Sequence, residues 1–149
     1  MELSIKIEIP EKQIFSHINS FFVIGSCFAE NIGFNLVKYL FKGECNPFGI
    51  LFNPASIVEC LNRILNKKFF TKDEFFFYNN LWHSDLCHGL YSNNNADFML
   101  KNLNKNLLNS NKLLENADFL IITFGSSWVW EKDGKIVANC HKLPENMFV

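Results

Sequence analysis

The chain is 149 residues long, 48% hydrophobic and 19% charged, enough for one globular domain (residues 1–149) that buries roughly two thirds of its unfolded surface, and too apolar for general disorder. Fourteen Lys and Arg against fifteen Asp and Glu leave a formal charge of −1, which gives neither the basic field that a nucleic acid needs nor a cationic excess for an anionic membrane. The opening residues Met-Glu-Leu-Ser carry acid where a signal peptide needs a basic and then an apolar stretch, and no run reaches the roughly 18 apolar residues of a membrane span, so a cytoplasmic location is expected.

Residues 4–9 alternate Ser-Ile-Lys-Ile-Glu-Ile and stop at Pro10, the pattern of a half-exposed edge strand. Phe21-Phe22-Val23-Ile24 is a continuous apolar run that ends in Gly25-Ser26. Ala29, Ile32, Gly33, Leu36, Val37 and Leu40 follow at helical spacing, so a buried strand is predicted to turn sharply into a helix. Gly43 and Asn46-Pro47 are expected to end that helix. Asn53-Pro54 reads as a cap and first turn, with Ile57, Cys60, Leu61, Ile64 and Leu65 as the apolar stripe of a helix running to Lys67. Residues 71–88 are aromatic without a clean period, and Asn79-Asn80 suits a packed hairpin or loop. Asn95 caps a third predicted helix, striped by Phe98, Met99, Leu103, Leu107, Leu108 and Leu114, whose asparagines are expected to face water. Residues 118–124 form a second buried strand ending in Gly125-Ser126-Ser127, and 128–138 read as a hairpin around Asp133-Gly134.

Continuous apolar strands separated by helices predict an α/β fold, a parallel sheet covered on both faces. Two central strands are legible, and such a sheet normally has more. The sheet is therefore expected to be incomplete at the carboxyl terminus. Five cysteines, odd in number and without Cys-x-x-Cys spacing, predict reduced thiols and no metal site. The dipeptides Cys87-His88 and Cys140-His141 do not change this, because neighbouring residues of a strand point to opposite faces. With no Walker loop and no Gly-x-Gly-x-x-Gly, no cofactor is expected.

Ser26, at the junction of strand and helix, stands where helix-end amides can stabilise an oxyanion and a hydroxyl is exposed at a sheet edge. The same position also suits a plain helix cap. Cys27 is a rival nucleophile, and equally a small buried hydrophobe. Gly125, Ser126 and Ser127 end a parallel strand, so they are expected at the same carboxyl edge as Ser26. Asn46-Pro47-Phe48-Gly49 forms a turn whose Gly49 lets a backbone N–H approach a ligand.

These residues carry a resemblance. Gly25-Ser26-Cys27-Phe28-Ala29 spells the motif for which the GSCFA family is named. The segments 46–54, 123–128 and 137–142 look like its other signatures, in order. The likeness runs from about Ile5 to the end of the chain and corresponds to the amino-terminal part of a longer domain. That family is similar in turn to the SGNH or GDSL-like hydrolases, which implies a flavodoxin-like three-layer α/β/α sandwich. By this resemblance Ser26 matches the nucleophile, and Ser26, Gly49 and Ser127 the oxyanion donors. Asn46, Gly125 and Ser126 lie along the substrate edge. The third block normally reads Gly-x-Asn-Asp, whereas here Ser127 and Trp128 stand in the last two places. A hydroxyl would thus replace a side-chain amide, and one lost oxyanion donor can cost on the order of 10²-fold in rate.

A serine hydroxyl needs a histidine to take its proton, best oriented by a carboxylate. The resemblance places an Asp-x-x-His after the last strand, beyond residue 149. Asp85-Leu86-Cys87-His88 has that spacing but precedes the third block, which makes His88 a minor candidate base. His141 is another, while His17 and His83 read as surface or packing residues. The leading expectation is an esterase that acts on an acyl group of a carbohydrate or lipid through an acyl-Ser26 intermediate. The alternatives are a non-catalytic carbohydrate- or acyl-binding domain and an inactive truncated fragment.

Overall fold

A computed structural model describes residues 15–138 and 143–148. The strand expected at 4–9, together with Cys140 and His141, lies outside them. Strand β1 (Ser20–Gly25) is buried from Phe21 onward and runs directly into helix α1 (Cys27–Lys38). Ser26 caps α1 as its Oγ accepts from the Phe28 N–H at 3.3 Å.

One expectation is corrected here. The helix stops at Lys38, with Leu40 in a left-handed turn at φ 64°, and Lys42–Cys45 is not a helix tail but a strand, β2. It pairs in parallel with β1, from Ser20 opposite Lys42 to Val23 opposite Cys45. On the other side of β1 lies β5 (Phe119–Thr123), also parallel, giving the sheet order β2-β1-β5.

Between β2 and β5 come α2 (Pro54–Leu65), the antiparallel pair β3 (Phe75–Tyr78) and β4 (Leu81–Ser84), and α3 (Ala96–Glu115). Both helices start as predicted. Asn53 Oδ1 accepts from Ser56 N–H at 2.8 Å with Pro54 in the first turn, and Asn95 Oδ1 accepts from Phe98 N–H at 3.0 Å. Asn79 and Asn80 join β3 to β4, both at positive φ, and Asp133 and Gly134 do the same between β6 (Trp130–Lys132) and β7 (Lys135–Val137). Positive φ at both central residues matches a two-residue turn to the strand twist.

The alternation along β1 sorts the molecule into three layers. Phe22 and Ile24 pack with Ile57 and Ile64 of α2 and Met99, Leu103 and Leu107 of α3. Phe21 and Val23 pack with Ala29 of α1 and, half-buried, Leu36, Phe41, Phe119 and Ile121. The chain is therefore α/β with a parallel sheet between helices, and 128–138 is the expected hairpin region. Among the described residues no helix is long and apolar enough to cross a membrane.

Of the asparagines of α3, Asn102 and Asn109 are exposed as expected, and three others depart from expectation. Asn104 bridges the backbone of Phe70, accepting its N–H at 2.8 Å and donating to its carbonyl at 3.1 Å. Buried Asn111 donates to the Ile64 carbonyl at 3.1 Å, and Asn106 to Tyr91 Oη at 3.3 Å. Asn104 and Asn111 satisfy backbone groups of the buried residues Phe70 and Ile64, which outweighs their preference for solvent. Below them, buried Arg63 of α2 pairs with Glu74 and lies 4.2 Å from the Phe70 ring centroid.

Candidate functional site at the carboxyl edge of the sheet

The order β2-β1-β5 means that the chain leaves β1 first to one side and later to the other. The loops after β1 and β2 consequently part at the carboxyl ends of the strands, where ligands enter sheets of this kind. Ser26 stands at that point. Gly25 before it has φ 140°, and a Cβ there would fall 2.0 Å from the Thr123 carbonyl oxygen. Only glycine lets β1 come so close to β5 before the chain turns into α1.

The loop 46–53 is stitched over this edge by named bonds. Asn46 N–H donates to Val23 O, and Asn46 Oδ1 accepts from Gly25 N–H at 2.8 Å. Leu51 N–H donates to Gly25 O, and the Phe52 carbonyl accepts from both Gly125 N–H and Ser126 N–H. Tyr91 holds the loop from below, its hydroxyl donating to the Pro47 carbonyl. Burial pushes that phenol above its ordinary pKa, so it stays a donor.

The structure thus brings together Ser26, Asn46, Gly49, Gly125 and Ser126, within one network of loops. Ser26 is 4% exposed. Its Oγ shares a 2.9 Å hydrogen bond with Thr123 Oγ1, and its N–H reaches Thr123 O and Oγ1, each at 3.2 Å. Gly125 lies against it: a Cβ there would sit 3.1 Å from Ser26 Cβ and 2.7 Å from Phe52 Cδ1. Ser126 is half-buried, its Oγ accepting from Trp128 N–H at 3.0 Å, and Ser127 is exposed. Gly49 is buried, and its N–H closes the turn onto Asn46 O at 2.8 Å.

Thr123 is the site residue that the sequence reading passed over. It opens the Thr-Phe-Gly-Ser-Ser-Trp motif, and the register of β5 along β1 sets it level with Gly25.

His88 backs onto the same loop. A Cβ on Gly49 would fall 2.1 Å from His88 Cβ, and His88 N–H donates to Phe48 O at 2.8 Å. Its Nδ1 accepts from Leu90 N–H at 3.2 Å, so the neutral ring carries its proton on Nε2 and presents a donor there. Asp85 does not orient it, for both Asp85 oxygens bind Lys132 Nζ, at 3.1 and 3.2 Å. Among the described residues no histidine is bonded to Ser26. His83 is buried, joined to Ser92 Oγ and the Tyr78 carbonyl, and His17 stacks on Phe41, both packing residues as expected.

Cys27, the rival nucleophile, is exposed in the first turn of α1. Burial, followed by the charge of Glu30, pushes the Cys45 thiol up to about 11, and burial also raises Cys60 well above its ordinary value. Neither is a ready thiolate. No group of three or more His, Cys, Asp or Glu that could hold a metal exists among the described residues.

No curated protein and no solved structure matches the chain. A family model does, over residues 20–149, and it spans β1, the stitched loop and both strand-end motifs. The chain belongs to the GSCFA family.

Proposed function

We propose that the chain is a serine hydrolase of the SGNH type acting on an ester, with Ser26 as nucleophile. The observation that carries this reading is the position of the Ser26 hydroxyl, at the strand switch point and the amino end of the twelve-residue α1, with Gly125 pressed against it. Attack of Oγ on the ester carbonyl forms the acyl-Ser26 bond and releases the alcohol. Water then cleaves that bond, returning the hydroxyl and releasing the carboxylic acid. The positive end of α1 favours the negative charge that develops on the carbonyl oxygen. Of the expected oxyanion donors, the Ser26 and Gly49 N–H groups are engaged in the bonds described above, which leaves Ser127, exposed beside Ser126, as the donor in reach of a ligand. The Ser26 proton needs a base, and among the described residues the hydroxyl is bonded to Thr123 and the Phe28 N–H and to no histidine, so His88 would have to move to serve.

The bond to Thr123 favours a second reading, a binding domain in which the same edge holds a carbohydrate or acyl ligand without turnover. Steady-state hydrolysis of p-nitrophenyl acetate by the purified protein separates the two. The hydrolase reading expects turnover that drops at least about 10³-fold in Ser26→Ala. Absent turnover, with ligand-induced thermal shifts equal in the wild type and Ser26→Ala, selects the binding domain.

A further inference from the structure

We infer that Thr123 is a positioning residue that latches the Ser26 hydroxyl in a resting, helix-capping orientation, from which Ser26 turns before it attacks. This rests on Ser26 being the nucleophile, as proposed above, and adds how that nucleophile is kept at rest.

A serine hydroxyl carries one proton and two lone pairs, and attack needs a lone pair aimed at the carbonyl carbon and the proton aimed at a base. The Phe28 N–H, at 3.3 Å, takes one lone pair of Ser26 Oγ. Thr123 Oγ1, at 2.9 Å, takes either the second lone pair or the proton. If Thr123 donates, both lone pairs are occupied and none points at a substrate. If Thr123 accepts, the proton is turned toward a hydroxyl that is no base for it. In each arrangement one requirement of attack fails, so the hydroxyl is unreactive while both bonds hold. Its burial, at 4% exposure, adds to this.

Of the two partners Thr123 is the fixed one. It lies opposite Gly25 in the parallel register, and both its carbonyl and its Oγ1 accept from the Ser26 N–H at 3.2 Å. Its branched side chain is stiff, and Oγ1 sits so close to β1 that a Cβ on Gly25 would fall 2.8 Å from it. Ser26 has a single γ atom and stands at the start of α1, whose packing against the sheet is slight. The part that turns is therefore the Ser26 hydroxyl. A hydrogen bond made at rest and absent in the transition state slows a reaction, and removing it speeds the reaction.

The test is the rate at which an alkyl fluorophosphonate labels Ser26 in wild type, Thr123→Val and Thr123→Ser, read by intact mass and peptide mapping. Valine keeps the branched shape and the backbone carbonyl that accepts from the Ser26 N–H, and loses only the hydroxyl. Thr123→Val should label about three- to tenfold faster than wild type, the equivalent of one neutral hydrogen bond. Thr123→Ser restores the hydroxyl and should return the rate to within about twofold of wild type. Gly33→Ala, which loosens α1 without touching this bond, should raise labelling less than about twofold. A rise in Gly33→Ala equal to that in Thr123→Val would assign the effect to general loosening and overturn the latch. Should Thr123→Val fail to fold by circular dichroism, Thr123→Ala takes its place with the same expectation. Labelling of Ser26 in Thr123→Val no faster than in wild type overturns the latch and leaves the hydrolase reading standing. No labelling of Ser26 in wild type or any variant overturns the hydrolase reading and the latch with it.

Discussion

The two faces of the sheet are covered very unequally. On one, α2 and α3 bury Ile57, Ile64, Met99, Leu103 and Leu107 against Phe22 and Ile24, and loop asparagines and the Arg63–Glu74 pair lock the periphery. On the other, α1 buries little beyond Ala29 and Gly33, while Phe28, Phe34 and Val37 remain exposed. The contact there is close but small, for a Cβ at Gly33 would sit 2.4 Å from Cys45 Cβ and Sγ. Stability is thus concentrated on the α2/α3 face, whereas the helix that carries Ser26 rides on a thin layer. The first turn of α1 can therefore shift at less cost than the loop 46–53, whose Phe48 and Leu51 are buried in the thick layer.

The sharpest way to break this contrast is a pair of truncations. Leu103→Ala, in the thick layer, should cost about 3–4 kcal/mol in denaturant unfolding, and Phe34→Ala, on α1, less than about 0.5 kcal/mol. Equal losses would dissolve the distinction. Next in size, Arg63→Ala leaves Glu74 partly buried without its cation and should cost about 2–3 kcal/mol. Burial alone would raise the Glu74 carboxyl, but hydrogen bonds from Arg63 and the Thr71 backbone, with the charges of Arg63 and Lys68, bring it below its ordinary 4.5. Because the folded value is the lower one, this stabilisation is complete above 4.5 and is lost as the pH falls through the folded value. The stability gap between wild type and Glu74→Gln should therefore close on acidification below pH 4.5, as read from urea midpoints. A gap that is constant down to full protonation would contradict it.

Smaller effects belong to the thin face. Gly33→Ala forces α1 and β2 apart and should cost about 1–3 kcal/mol. Ser26→Ala removes a helix cap, at about 1 kcal/mol by thermal unfolding, so a far larger loss of activity than of stability would mark a chemical role.

The sequence made the thick layer legible and the thin one only partly so. Asn53-Pro54 and Asn95 announce α2 and α3 because caps are local chemistry, and Asp133-Gly134 announces a turn for the same reason. Strand β2 was not legible. Lys-Gly-Glu-Cys has no alternation, and its strand conformation comes from pairing with β1, where a Cβ on Gly43 would meet the Phe21 carbonyl at 2.2 Å. The same tertiary demand explains Asn104 and Asn111, which composition assigns to water and packing assigns to orphaned backbone groups. At the site, Ser26, Gly125 and the 46–49 turn could be read from strand-end logic. The link from Ser26 to Thr123 could not, since it depends on register, and a register is a property of two strands together.

The claim that matters most is that Ser26 is the reactive group at this edge. Its most direct test is peptide mapping by mass spectrometry after treatment with an alkyl fluorophosphonate, on wild type, Ser26→Ala and Cys27→Ala. A single adduct on Ser26 is expected, retained in Cys27→Ala and absent in Ser26→Ala. An unlabelled wild type, or an adduct that persists in Ser26→Ala, would contradict it.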